Sequence, residues 1–312
     1  MKKEQKSIID KNPNIKIGCP SGLEYEPSGF PTMDMVLGGG EPKGVVIEHW
    51  GEPGCGKTTY RLQDAARYLN RGEMVIWYDL EHALSKLPTS YLETLGIDRK
   101  NENFIYIEPV KGSHELDLQN VIDITEQGGV GLIVIDSVAQ LDDVAERGMD
   151  KQEQAVLSKF LKRFLRKILD VLAATKTKLV IINQITTEMH QNYTAETTPG
   201  GHNPKFITWA RIRFGKPHTI DAKGKDVQAG EEATGFTVKV IIKKTRGGRP
   251  HLETELRFDY DKGFNKQYDA MQHMIRTGKI VQSGAWYQIG DKKFQGQDAV
   301  LKYLSKDNGK QT

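Results

Sequence analysis

The chain has 312 residues, of which 38% are hydrophobic and 27% charged, with a net charge of +3 and a pI near 8.6. Such a composition supports a sizeable core and excludes wholesale disorder, and the mildly basic balance suits a polyanionic partner without identifying one. Two cysteines, Cys19 and Cys55, are too few for a disulfide scaffold or a cysteine-built zinc site and fit a reducing compartment. The opening "MKKEQKSIIDKNPN" lacks the apolar core of a secretory signal, and no apolar run approaches the roughly 20 residues that span a bilayer. A soluble, cytoplasmic protein with no membrane partner is expected.

Residues 1–28 are polar, punctuated by Pro and Gly, and read as a short arm available for subunit contact. From Gly44 apolar runs alternate with helical patterns: "GVVIEHW" as a strand, "TTYRLQDAARYLN" as a helix, "EMVIWYDLE" and "FIYIEPV" as strands, "SHELDLQNVIDITEQ" as a helix, and "GLIVIDSVAQL" as a strand buried on both faces. A long helix over about 152–175 precedes the strand "KLVIINQ". Its Lys159, Arg163 and Arg166, flanked by Lys162 and Lys167, share one face. Leu157, Phe160, Leu161, Phe164, Leu165 and Ile168 take the other. The pattern then collapses between Ile185 and Phe206 into Thr, Glu, His, Gln, Asn, Tyr and Gly, an irregular stretch of a length that is usually functional or disordered. "ITWARIRFG", "GFTVKVIIKKT" and "LETELRFDY" follow as strands, and a tail with the helix "YDAMQHMIRTG" and the hairpin "AWYQIGDKKF" closes the chain. The expected architecture is α/β, with a mainly parallel central sheet over residues 29–262 and a small α+β module over 263–312.

"GEPGCGKTT", formed by Gly51, Glu52, Pro53, Gly54, Cys55, Gly56, Lys57, Thr58 and Thr59, matches G-x-x-x-x-G-K-[ST] between a strand and a helix. In that context glycines let backbone N–H groups close on phosphates, and the helix N-terminus adds a favourable dipole. Lys57 reaches the β- and γ-phosphates of ATP, and the Thr58 hydroxyl ligates Mg²⁺. Cys55 reads either as a thiol made reactive by the helix N-terminus or as filler. Asp136 ends a buried apolar strand, where a carboxylate is costly unless paired or metal-linked, and reads as the second Mg²⁺-holding group. Glu81, just past a strand end, is placed to orient or deprotonate an attacking water, with Asp79 as a rival.

"GEPGCGKTT", "YDLEHAL", "YLETLGID", "LIVIDSVAQL", "IINQI", "ETTPGG" followed by "KF", and "AWYQIGDKKFQGQ" stand in the order and approximate spacing of bacterial RecA-type recombinases, which the chain resembles from about Ser28 to Asn308. The resemblance implies a RecA-like P-loop ATPase core. It implies that Glu81 is the catalytic glutamate, that Tyr91 stacks on the adenine, and that Gln184 senses the γ-phosphate and couples it to the following loop. It further implies that Lys244 and Arg246 of "KKTRGGRP" reach into a neighbouring subunit's ATP site, where residues alone read equally as a solvated basic hairpin. Phe206 would be a subunit contact. DNA would be met by a loop near Asp142–Gln154, by Lys162, and by the 185–206 segment through Met189, Tyr193 and the backbone of Gly200 and Gly201, because that segment carries Thr186, Thr187 and Glu188 rather than basic residues.

The resemblance thus implies a DNA-dependent ATPase that assembles on single-stranded DNA as a helical filament and exchanges strands with double-stranded DNA. The short N-terminal arm and tail differ from the family's longer ends and suggest a phage-encoded version. They also keep open a second reading, a ring-forming motor or accessory ATPase without strand exchange.

Overall fold

A computed structural model of the chain describes residues 6, 11, 22–110, 112–138, 151–189, 194–198, 206–222, 224–227 and 231–307. In chain order its elements are β1 (Tyr25–Glu26), α1 (Pro31–Leu37), β2 (Glu41–Pro42), β3 (Val46–Gly51), α2 (Lys57–Asn70), β4 (Met74–Asp79), α3 (Thr89–Thr94), β5 (Phe104–Ile107), α4 (His114–Glu126), β6 (Val130–Asp136), α5 (Lys151–Thr175), β7 (Lys178–Gln184), β8 (Thr186–Met189), β9 (Thr194–Thr197), β10 (Ala210–Phe214), β11 (His218–Ile220), β12 (Gly235–Thr245), β13 (Glu253–Asp259), β14 (Gly263–Phe264), α6 (Lys266–Arg276), β15 (Val281–Ser283), β16 (Trp286–Ile289), β17 (Lys292–Gln295) and α7 (Gln297–Asp307). Among the described residues no helix is long and apolar enough to cross a membrane.

One large sheet runs β14-β13-β12-β10-β3-β7-β6-β4-β5, with β11 added beside β12. The strands from β10 to β5 are parallel; β12, β13 and β14 continue the sheet antiparallel. Each residue of β6 is buried, as expected of a parallel strand covered on both faces. On α5, Leu161, Phe164, Leu165, Ile168 and Leu172 pack against one face of the sheet beside Leu118, Val121 and Ile122 of α4, while Arg163, Arg166 and Lys167 stay exposed. The parallel order places the carboxyl ends of β3, β7, β6 and β4 side by side, where open α/β sheets hold their ligands.

Two segments differ from the sequence expectation. Residues 186–189 and 194–197, expected to be irregular, pair as a two-stranded antiparallel ribbon with Thr186 opposite Thr197 and Met189 opposite Thr194. Four of their eight residues, Thr186, Thr187, Thr194 and Thr197, are β-branched threonines that favour extended pairing. At the other end, Tyr25–Glu26 pairs with Glu41–Pro42, and the buried Glu26 carboxylate accepts from Tyr68 and from Arg71, the latter at 2.6 Å. The last residues of the expected arm are therefore sewn to the core.

The C-terminal module has its own small core of Met271, Ile280, Tyr287 and Val300. Two polar seams hold the module and the strand that leads into it. The Thr32 amide donates to Asp269 at 3.0 Å and the Thr254 hydroxyl to Thr32 at 2.8 Å. The Gln63 side chain on α2 donates to the Phe264 carbonyl at 3.0 Å and accepts from the Phe264 amide at 2.9 Å, a strand-like pair made by a side chain.

Under the first turn of the site lies a cluster of buried charges. Arg61 of α2 donates to Glu41 through both terminal nitrogens, at 2.8 and 2.6 Å, and to Asp64 at 2.8 Å. Lys178, at the start of β7, donates to Glu41 at 2.6 Å and to Asp64 at 3.0 Å. All four residues are at most 1% exposed. Although burial pushes its carboxyl up, Arg61 and Lys178 hold Glu41 well below the usual range. Burial and Arg61 keep the neighbouring His49 neutral. The partly exposed Arg67 also meets Asp64, at 3.0 Å, but among the described residues Glu41 has only Arg61 and Lys178 as close cationic partners, so removing either leaves it poorly compensated in a buried site. Lys178→Met is expected to cost about 3–5 kcal/mol of stability, read by denaturant unfolding; a loss under about 1 kcal/mol would mean that the cluster is solvated.

Candidate functional site

β3 ends at Gly51, and the chain re-enters a helix at Lys57 through Gly56, whose φ of 86° lies in the left-handed region open to glycine. A Cβ on Gly56 would also stand 2.7 Å from the Phe264 ring, so both backbone and space demand glycine. Lys57 Nζ turns back over the loop, donating to the carbonyls of Gly51 at 3.0 Å and Glu52 at 2.8 Å. Cys55 is fully buried with its Sγ 3.6 Å from Lys57 Nζ. Burial pushes the Cys55 thiol up despite that ammonium, which makes it a packed thiol rather than a thiolate.

The Thr58 hydroxyl donates to Asp136 at 2.7 Å, bringing together the two residues expected to hold a metal. Burial pushes the Asp136 carboxyl up to about 7, with Glu81 and Asp79 adding to the rise and the Thr58 hydrogen bond opposing it. Next to it the buried Ser137 hydroxyl has no hydrogen-bond partner among the described residues, so a donor stands ready for a ligand oxygen or water. This oxygen donor set fits Mg²⁺. Among the described residues no three His, Cys, Asp or Glu side chains are grouped to hold a metal on their own.

Glu81 follows β4 at the cleft wall, and Gln184 Nε2, from the end of β7, donates to Glu81 Oε1 at 2.9 Å. Asp79 is two residues earlier but points elsewhere. It is fully buried and accepts from the amides of Ala83 and Leu84, at 3.0 and 2.8 Å, and from the Tyr106 hydroxyl at 3.0 Å. Its lone pairs are spent on the turn after β4, which leaves Glu81 as the carboxylate facing the cleft.

The cleft is lined by Pro53, Gly54, Gly56, Lys57, Thr58 and Thr59 on the loop side and by Phe236, Phe258 and Tyr260 opposite. Phe258 and Tyr260 also line the adjoining hollow that contains Tyr91, whose hydroxyl lies 3.4 Å from the Thr59 hydroxyl. The polar floor thus opens onto an aromatic end. Phe236, Phe258 and Tyr260 are additions to the sequence reading. Phe236 and Phe258 are cross-strand partners of β12 and β13 with rings stacked at 4.5 Å, a pairing that only the register reveals.

Lys244 and Arg246 do not line this cleft. Lys244 Nζ donates to the carbonyl of Thr208 at 2.7 Å and of Phe206 at 3.3 Å, and Arg246 donates to the Phe206 carbonyl at 2.6 Å. Burial, with Arg246 and Arg211 nearby, lowers the Lys244 ammonium from its usual range. Phe206 itself is 70% exposed. Lys162 is half-buried on α5, and Met189 ends β8. Tyr193, Gly200, Gly201 and residues 139–150, which include most of the first expected DNA loop, lie outside the described residues.

An aromatic end beside a phosphate loop suits a nucleobase. Tyr260→Ala is expected to raise the KM for ATP about two- to tenfold, the worth of one ring stack, with kcat little changed. An unaltered KM in a steady-state ATPase assay would show that the base lies elsewhere.

The family model of the RecA N-terminal domain matches residues 13–265. Protein RecA of Aquifex aeolicus (strain VF5) is 33% identical over 288 residues, which cover 90% of this chain and 79% of that protein. Protein RecA of Thermus thermophilus is 31% identical over 287 residues, 90% of this chain and 81% of that protein. Protein RecA of Borreliella burgdorferi (strain ZS7) is 31% identical over 302 residues, 94% and 80% of the two chains. Among solved structures, a crystal structure of the RadB recombinase superimposes with a TM-score of 0.54 over 76% of this chain and 97% of that one, at 19% identity, a likeness of fold. With a family match that spans most of its length and relatives above 30% identity, this chain belongs to the RecA family.

Proposed function

We propose that this chain is an ATP-dependent DNA recombinase of the RecA type, which binds ATP with Mg²⁺, assembles along single-stranded DNA and pairs it with homologous double-stranded DNA for strand exchange in the cytoplasm. The observation that carries the reading is the position of Gln184. Its side chain meets Glu81 in the cleft, and its backbone is the last residue of β7 before the β8–β9 ribbon. A group that touches the phosphate-facing carboxylate and begins the segment expected to meet DNA is what coupling between the two ligands requires.

Within that reading the roles divide by geometry. Lys57 and the loop amides hold the phosphates, and Tyr91 with Tyr260 holds the base. Thr58 and Asp136 hold Mg²⁺, which when bound neutralises charge building on the phosphate oxygens. Glu81 orients the attacking water and takes its proton, and Gln184 leaves Glu81 for the γ-phosphate as the nucleotide enters. Lys244 and Arg246 exchange their contacts with the Phe206 and Thr208 carbonyls for a neighbouring subunit's phosphates, with Phe206 against that neighbour. The β8–β9 ribbon, with Met189, Tyr193 and the Gly200–Gly201 backbone, meets the bases, and Lys162 the DNA backbone.

Strand exchange by the purified protein with ATP is the direct test. Joint molecules, and helical filaments on single-stranded DNA in electron micrographs, are expected. Rings with no joint molecules despite DNA-stimulated ATPase would replace this reading with an accessory ATPase. Glu81→Gln is expected to lower ATP turnover about 10²–10⁴-fold while ATP binding persists; turnover at the parent rate would remove Glu81 from the chemistry.

A further inference from the structure

A row of polar side chains crosses four adjacent strands, β12, β10, β3 and β7, just below the site, and none of the roles above uses its centre. Lys244 stands opposite Arg211 in the β12–β10 register, and Arg211 opposite Glu48 in the β10–β3 register. Glu48 is fully buried and accepts from Arg211 Nε and from Asn183 Nδ2, the latter at 3.2 Å. Asn183 in turn accepts, through Oδ1, from the amide of Gln184 at 3.0 Å. From its other edge Arg211 donates Nη2 to the hydroxyl of Thr198 at 3.0 Å. Thr198, itself 4% exposed, follows the last residue of β9.

The chemistry of this row is more specific than charge balance. A buried Glu48 needs a cation, and any cation would meet that need. The contact to Thr198 uses Nη2 while Nε serves Glu48, so it needs donors on two nitrogens of one planar group, which a guanidinium has and a single-nitrogen ammonium lacks. The Arg211 guanidinium is further fixed over Trp50, 5.3 Å from the ring centroid. The start of the 185–206 segment is thus tied to Glu48 through Asn183, and the end of its ribbon is tied to Glu48 through Arg211. Beyond the ribbon, Lys244 fixes the carbonyls at 206 and 208 on the far side of Arg211.

We propose that Arg211 is a positioning residue that clamps the exit of the β8–β9 ribbon, at Thr198, to the same buried carboxylate that positions Asn183 and Gln184, so that a nucleotide-driven shift of Gln184 reaches both ends of the ribbon together. The inference rests on the recombinase reading for its consequence in DNA binding, but its structural part stands by itself. Arg211 touches no nucleotide and is no catalytic group.

Two variants test it. Arg211→Lys keeps the positive charge beside Glu48 and loses the fork. Thr198→Val leaves the Arg211–Glu48 pair whole and removes only the tie to the ribbon, so it remains informative if the first variant folds poorly. Both are expected to bind ATP with parent affinity. The gain in single-stranded DNA affinity produced by a slowly hydrolysed ATP analogue, ordinarily on the order of 5–150-fold for coupled sites, is expected to fall to about threefold or less in each. Amide hydrogen exchange over residues 194–198 in the nucleotide-free protein is expected to quicken about tenfold or more. Parent coupling in both variants, or unchanged exchange in both, overturns the proposal. If the parent protein shows no nucleotide-dependent DNA affinity, the recombinase reading is what fails. The exchange measurement then decides the clamp alone, faster exchange upholding it and parent exchange removing it.

Discussion

A parallel sheet gathers the last residues of its strands along one edge, and in this protein the carboxylates at and below that edge include Glu48 within β3, Asp79 and Glu81 at and after the end of β4, and Asp136 at the end of β6. Anions so placed repel one another and lose hydration, and each needs a partner. The partners differ, and the differences assign the tasks. Asp79 is saturated by two amides and a phenol, which makes it part of the turn. Glu48 is neutralised by Arg211, which makes it an anchor. Glu81 has an amide side chain as its partner, a contact weak enough to exchange. Asp136 has one hydroxyl and remains the most strained of the four, its carboxyl pushed up to about 7 by burial and by its anionic neighbours. The carboxylate left least satisfied is the one beside the phosphate loop, where a divalent cation would relieve the stress.

The phosphate loop is held from beneath by the second set of charges. Glu41 precedes β3, Arg61 and Asp64 lie on α2, and Lys178 opens β7, so the cluster joins the strand before the loop, the helix after it and the strand that carries Gln184. An apolar core at this position would pack as well but would tolerate small slides. Bidentate pairs fix both angle and distance. Preorganisation of this kind lets loop amides await phosphate without reorganising when it binds.

Much of this was legible in the residues. "GEPGCGKTT" between an apolar run and a helical pattern located the loop, and Asp136 and Glu81 stood out because each ends or follows an apolar strand. What stayed hidden was whatever depends on register. Asp79 and Glu81 are two residues apart, and the choice between them rests on Tyr106 of a different strand. Arg61 and Asp64 sit in a helix whose sequence does not show that β7 brings Lys178 against them. Tyr260 joins the cleft only because β13 runs antiparallel to β12 and returns to the loop. The pairing of 186–189 with 194–197 is not legible in the sequence because threonine reads as a polar loop residue as readily as a β-branched strand residue.

The double contact between Gln63 and the Phe264 backbone bears on how the molecule transmits force. Gln63 lies on the helix that begins at the phosphate loop, and Phe264 is the last strand residue before the C-terminal module, with its ring packed against Gly56 of that same loop. The passage from core to module is therefore pinned to the helix that follows the phosphate loop, and close-packed contacts of this kind pass strain on rather than absorb it. A displacement of the module would be felt first at the phosphate loop.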